Sequence, residues 1–390
     1  MSALGSSFTA FAVPLLVFEL TGSPFDLGLA AAATYLPYPI VGLLIGAYVD
    51  RLDRRRLMIA ADLVRATTIA TIAAASAVGE VSIALIVSMA VVASVATIAF
   101  DAAETAAVAS LVPRDQLVQA NGRLQASYSA AQVAGPLLAG VVVTLLPLEV
   151  VLALDAASFL VSAGLLATVR TSFGGRRRAR PGVLEDIVEG LRFTLGNPVL
   201  RNLAVLVAIV NFLGRTVATQ LVLFASLQLA AGRAEIAVLL SAGSVGVIVF
   251  SLGAARLRRR TSFARATLGP IVLAGVLIAA LANTSSIAAA GVLWAGIMGL
   301  VGFFNVNSQT LRQTIVAPEM LGRATTVSRV LSWSAIPLGT LLGGWTIERT
   351  DDVVLVVTVI GALVTLTGLA FRFSALGRAD RLAAAYPAPT

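Results

Sequence analysis

Gly46-Ala47-Tyr48-Val49-Asp50-Arg51-Leu52-Asp53-Arg54-Arg55-Arg56 is the stretch on which the reading of this 390-residue chain turns. It is a knot of charge between two long apolar runs, near 27–49 and 56–78. A second copy, Ser251-Leu252-Gly253-Ala254-Ala255-Arg256-Leu257-Arg258-Arg259-Arg260, lies 205 residues further on, between runs near 235–255 and 264–283. At that shift Arg51-Leu52 falls on Arg256-Leu257, Arg54-Arg55 on Arg259-Arg260, Thr105 on Thr310 and Pro113 on Pro318. One residue of slippage then sets Arg123 on Arg329. The chain therefore reads as two related halves of the same orientation, which implies a pseudo-twofold axis along a membrane normal and a site at mid-membrane between the halves. Ala255 stands where Asp50 stands, so only the first copy carries that carboxylate.

The solvent is lipid. Hydrophobic residues make up 58% of the chain and charged residues 12%, with mean hydropathy +0.93, whereas a water-facing surface needs about 25% charge. Runs of about 20 apolar residues are what helical membrane crossing requires. They are too long and too continuous for barrel strands. Outward from the two charge knots, such runs fall near 3–20, 27–49, 56–78, 82–104, 118–145 and 150–169, then near 199–228, 235–255, 264–283, 287–311, 323–347 and 353–373. The expected fold is an all-α membrane protein of twelve transmembrane helices in two six-helix bundles. The expected domains are a bundle over 1–169, a basic cytoplasmic loop over 170–198, a second bundle over 199–373 and a cytoplasmic tail over 374–390. In the loop, Leu184, Ile187, Val188, Leu191 and Leu195 recur at helical spacing opposite Glu185, Asp186 and Glu189, the pattern of a helix lying on the membrane face.

Arginine sets the orientation. It crowds the loops at 51–56, 114, 170–180, 256–260 and 323 and the region after 372, while the alternate loops hold only Arg233 and Arg349 among acids. The positive-inside rule places the Arg-rich side, and both termini, in the cytoplasm, as expected for a protein of the plasma (inner) membrane. Residues 1–20 lack a basic leader and an A-x-A-like cleavage site, so they read as a first span starting close to, or missing part of, its natural beginning. The chain has no Cys and no His. That excludes disulfides, Cys/His metal sites and an imidazole relay, leaving Asp or Glu as any titrating group. With no nucleotide loop and no convergent acidic metal set, an enzyme is not expected, nor a metal, a cofactor or a nucleic-acid partner.

At Gly46–Arg56 the chain resembles the major facilitator superfamily, whose loop signature is G-x-L-a-D-R-x-G-R-[KR]. Tyr48 replaces the Leu and Asp53 the second Gly. The resemblance implies a cytoplasmic latch. Asp50 would sit at the start of the eleventh span, where a helix N-terminus favours a carboxylate. Arg51, Arg54 and Arg55 would pair around it, and Gly46 would allow close helix approach. Topology setting alone is the plainer reading of the same run. In the fifth span, Ala131, Gly135-Pro136 and Ala139-Gly140 resemble the antiporter motif G-x-x-x-G-P-x-x-G-G with two glycines replaced. That implies export, against ordinary small-residue packing. Leu20–Pro24, Asp62-Leu63-Val64-Arg65, Leu154–Phe159, Thr310–Gln313, Pro318, Arg323 and Pro337-Leu338-Gly339 are similar to the drug efflux branch containing macrolide efflux proteins and enterobactin-type exporters.

Ionisable groups at membrane depth are costly and mark function. The family's cavity is lined by spans 1, 4, 7 and 10, where the candidates are Glu19, Asp101, Glu104, Asn211, Arg215, Gln220, Asn305, Asn307 and Arg312. Arg215, some 16 residues into its span or about 24 Å along it, is a counter-ion for substrate or carboxylate, or else snorkels to headgroups. Asp101 and Glu104 either share a mobile proton or pair with Arg312. Asp62 and Arg65 are spaced to pair with each other, and Asp155 is a weaker coupling candidate. The expected function is export of drug- or siderophore-like small molecules by proton antiport through alternating access, performed by a monomer in membrane lipid. An importer or lipid flippase on the same fold, or a non-transporting component of secretion or sensing, are the alternatives.

Overall fold

A computed structural model describes residues 2–49, 52–111, 116–169, 183–258, 262–316 and 318–379. Among them the regular structure is helical, and ten helices are long and apolar enough to cross a membrane. The first half runs α1 (Ser2–Thr21), α2 (Pro24–Tyr35), α3 (Pro37–Val49), α4 (Arg54–Ala77), α5 (Ile83–Leu111), α6 (Leu117–Leu145) and α7 (Leu148–Thr168). The second runs α8 (Val183–Gly196), α9 (Pro198–Thr219), α10 (Leu221–Gln228), α11 (Arg233–Arg258), α12 (Phe263–Ala282), α13 (Ile287–Ile315), α14 (Pro318–Trp333), α15 (Ala335–Thr350) and α16 (Val353–Ala370).

Twelve spans emerge once the broken ones are joined. The second is α2 with α3, the seventh α9 with α10, and the eleventh α14 with α15; the fifth, α6, is continuously apolar only over Ala134–Leu145. Two breaks have a covalent cause. Proline has no N–H and its ring strikes the carbonyl four residues back, so Pro39 bears on Tyr35, where α2 stops, and Pro337 bears on Trp333, where α14 stops. The sequence runs were read as continuous because their apolar length outweighed these prolines.

Helix starts are set by short polar side chains. Ser23 accepts from Asp26 N, Asn197 from Val199 N and Leu200 N, and Asp352 from Leu355 N. Asp53, the departure from the loop signature, accepts from Arg56 N at 3.0 Å and caps α4. Such a cap contributes about 1 kcal/mol, which explains an acid where the signature has glycine.

Contacts divide the chain into two compact units, residues 1–180 and 181–390. In the first, α4 packs on α5 and α7, α1 on α6 and α7, and α2 and α3 on α5. In the second, α12 packs on α13 and α16, α9 on α15 and α16, and α11 on α13. The two contact schemes are the same scheme, and α5 and α13 are both 29 residues long. The outer faces of the spans carry side chains such as Leu160, Leu165, Val238, Val292 and Leu366, all exposed. Apolar surface on that scale needs lipid as its solvent.

Two peripheral segments pack on the helices of the second unit. In α8, Val188 and Leu195 are exposed, while Gly190 and Thr194 are buried and Phe193 packs on Leu200, Val316 and Ala324. The helix docks on α9 and α14 through the face that carries Gly190, Phe193 and Thr194, leaving Val188 and Leu195 outward. In the tail, the described residues reach Ala379. The turn Leu376–Arg378 buries Leu376 and, with Ala379, packs back on the second unit. The basic run 170–182 lies outside the described residues.

Candidate functional site

The first unit holds a buried cluster of three ionisable side chains. Asp62 and Arg65 lie one turn apart on α4, 0% and 7% exposed, and form an ion pair. The Arg65 guanidinium carbon sits 4.4 Å from the centroid of the Phe100 ring on α5 and 4.5 Å from that of Phe159 on α7. A planar, weakly hydrated guanidinium suits a site between two aromatic faces. Four residues before Phe159, on the same face of α7, Asp155 is 1% exposed. It accepts hydrogen bonds from the Thr9 hydroxyl of α1 and, at 3.3 Å, from the Ser158 hydroxyl. Arg65 lies within electrostatic range of Asp155 as well.

Small residues make these approaches possible. A Cβ on Gly5 would meet Asp155 Oδ1 at 2.5 Å and Ser158 Oγ at 2.1 Å, so α7 lies against bare backbone of α1. On another face of α1, a Cβ on Gly135 of α6 would meet Ser7 Oγ at 2.1 Å. Gly135, with Pro136 inside α6 and buried Gly140, thus marks a seam between α1 and α6. In the second unit, Gly339 and Gly343 face α9: added Cβ atoms would lie 2.0 Å from the Phe212 carbonyl oxygen and 2.1 Å from Thr216 Cγ2. Thr216 donates to the Gly339 carbonyl at 2.8 Å.

The expected site residues separate into groups. Gly46 falls in α3; Asp50 and Arg51 lie outside the described residues. Arg54 opens α4. Arg55 donates through Nε to the Leu166 carbonyl at 2.9 Å and through Nη2 to the Ala167 carbonyl. It thereby satisfies carbonyls at the C-terminus of α7, where a cation also meets the negative helix end. Glu19 and Asp101 are exposed, whereas Glu104 accepts from the Tyr128 hydroxyl of α6. Tyr128 lies within electrostatic range of Arg65 as well as of Glu104 and Asp101.

In the second unit, Asn211 donates to the Ser332 carbonyl at 3.0 Å, at the frayed end of α14. A side-chain amide here stands in for a backbone donor lost at the break. Gln220 is buried at the α9–α10 junction, Arg215 and Asn305 are exposed, and Arg312 is half-buried in the last turn of α13. Asn307 is buried and donates back to the Phe303 carbonyl of its own helix at 2.8 Å. The Asp62–Arg65 pair was legible from spacing. Thr9, Ser158, Phe100, Phe159, Tyr128, Gly5 and the Gly339–Gly343 pair were not read as a site, although the G-x-x-x-G spacing at 339–343 was a visible signal.

Two six-helix units with one contact scheme, small-residue seams and buried charge at membrane depth define a membrane transporter of the duplicated-bundle type. The chain belongs to the Major Facilitator Superfamily, which it matches across residues 1–340. It is 28% identical over 350 residues to the multidrug efflux pump Tap of Mycolicibacterium fortuitum, covering 87% of this chain and 85% of that protein. It is 25% identical over 193 residues to macrolide efflux protein A of Streptococcus pyogenes, covering 49% and 48%. In fold it is similar to a bacterial homologue of the human lysosomal transporter Spinster, with TM-score 0.77 and 14% identity over 98% of this chain and 95% of that one. The protein is an integral membrane transporter of this superfamily, similar in sequence to drug efflux pumps, and not an enzyme.

Proposed function

We propose that this transporter exports drug-like small molecules from the cytoplasm across the plasma membrane by proton antiport through alternating access, as a monomer with both termini inside. Similarity to a multidrug efflux pump along seven-eighths of the chain, 87%, is the observation that carries the reading. The antiporter-like residues Gly135, Pro136 and Gly140 at the α1–α6 seam support the direction. The acids available for coupling in the first unit are Glu19, Asp101, Glu104 and Asp155. Asn211, Arg215, Gln220, Asn305, Asn307 and Arg312 supply the polar and cationic groups of the second unit. A latch through Asp50, Arg51 and Arg54 is proposed for the cytoplasmic side.

Accumulation of ethidium and of a macrolide in cells with and without the protein tests the direction. Producing cells are expected to hold less of at least one compound, the difference vanishing when the membrane proton gradient is collapsed. Equal accumulation contradicts export, and greater accumulation points to import. Movement of a labelled phospholipid without either effect points to a flippase.

A further inference from the structure

The two buried carboxylates of the first unit have partners of different kinds. Asp62 faces the guanidinium of Arg65, a group that donates hydrogen bonds and accepts none. A guanidinium therefore favours the ionised form of Asp62 by its charge as well as by its hydrogen bond. Asp155 faces two hydroxyls, Thr9 on α1 and Ser158 on its own helix. A hydroxyl both donates and accepts. Thr9 and Ser158 can therefore donate to an ionised Asp155, or accept the O–H of a protonated one, with no change of partner. Among the described residues the ion pair in this cluster is Arg65 with Asp62; Arg65 acts on Asp155 electrostatically, without an ion pair to it. The cluster holds one more acid than base, at 0%, 7% and 1% exposure, and an excess charge away from water is what a proton would neutralise.

We propose that Asp155 is a proton-binding site of this transporter: its carboxylate takes up one proton to become a neutral carboxyl, held by Thr9 and Ser158, and releases it again. The charged and titratable groups around it are Arg65 and Asp62 on α4, with Tyr128 and Glu104 beyond Arg65 on α6 and α5; α1 presents Thr9 and the bare backbone of Gly5. Gly5 and Thr9 are four residues apart and share the α1 face toward α7, whereas Ser7, between them, meets Gly135 of α6. The turns of α1 that carry the Asp155 contacts on one face thus carry the contact with the antiporter-like segment on another. The inference rests on the proton-antiport reading for its use, but the binding itself is separately measurable.

The full chain, purified and reconstituted in lipid, is titrated by infrared difference spectroscopy for the C=O stretch of a buried protonated carboxyl. A band that titrates with pH is expected. Asp155→Asn removes it, while Glu104→Gln, Asp101→Asn and Glu19→Gln leave it in place. Thr9→Val moves it to higher frequency through the lost hydrogen bond, and Thr9→Ser keeps its position. In the same proteoliposomes, Asp155→Asn is expected to abolish gradient-driven ethidium uptake while retaining gradient-independent ethidium exchange, which also shows that the variant is folded. A wild-type spectrum without the band, a band unchanged in Asp155→Asn, or one lost instead in Glu104→Gln overturns the proposal. So does gradient-driven uptake that survives Asp155→Asn. If wild-type protein moves no ethidium but the band behaves as expected, the proton site stands and the export reading fails.

Discussion

At the scale of single residues, Arg65 carries the largest energetic consequence in the first unit. Its charge is stable in the interior because Asp62 neutralises it and Phe100 and Phe159 enclose it. Arg65→Leu leaves the Asp62 carboxylate buried without its partner, a loss of about 3–5 kcal/mol. Removing both charges in Asp62→Leu/Arg65→Met is expected to recover most of that. Unfolding of the purified protein in detergent measures both, and a double variant as unstable as the single one would contradict this account of the pair. Spacing on one helix made Asp62 and Arg65 legible as partners. Asp155 and Thr9 were not, because they lie 146 residues apart and no local pattern announces a hydroxyl arriving from another helix. The acids that sequence favoured, Glu19, Asp101 and Glu104, stood out for their place in predicted spans, a coordinate that does not record which side of a helix is buried.

At the scale of elements, helix ends and seams govern the fold. Arg55 holds the last carbonyls of α7, so Arg55→Gln is expected to cost about 0.5–1 kcal/mol and to speed amide exchange at residues 166–168. Unchanged exchange there would argue that solvent satisfies those carbonyls equally well. The α9–α15 seam tolerates less. A side chain at Gly339 would have to displace the backbone of Phe212 rather than a flexible tip, so Gly339→Val should destabilise by about 2 kcal/mol or more, read as reduced thermal stability in detergent. Gly22, with φ of +62° and open space around it, should lose less on replacement by Ala, since only its backbone preference is offended. Apolar run length revealed nearly every span. It concealed the breaks at Tyr35 and Trp333, which depend on where a proline ring meets a carbonyl rather than on how greasy the neighbours are.

At the scale of the whole molecule, the repeat was legible because a charged loop cannot drift into lipid. Arg51-Leu52 and Arg256-Leu257 keep their register while the apolar sequence between them is free to change. The matching contact schemes of the two units give that repeat its physical content. Orientation is open to direct test, since the chain has no cysteine to interfere. Glu80→Cys and Arg177→Cys, each as the only thiol, are expected to react with an impermeant reagent from opposite sides of the membrane. Labelling from one side would overturn the placement of the Arg-rich loops in the cytoplasm.

The central claim is that outward movement of a small molecule is driven by inward movement of protons. Everted membrane vesicles containing the protein, with an imposed proton gradient followed by a pH-sensitive dye, test it directly. Addition of ethidium or a macrolide is predicted to dissipate part of the gradient, in vesicles containing the protein and not in control vesicles. A gradient that no added compound disturbs, in vesicles that nevertheless accumulate the compound, would contradict proton antiport.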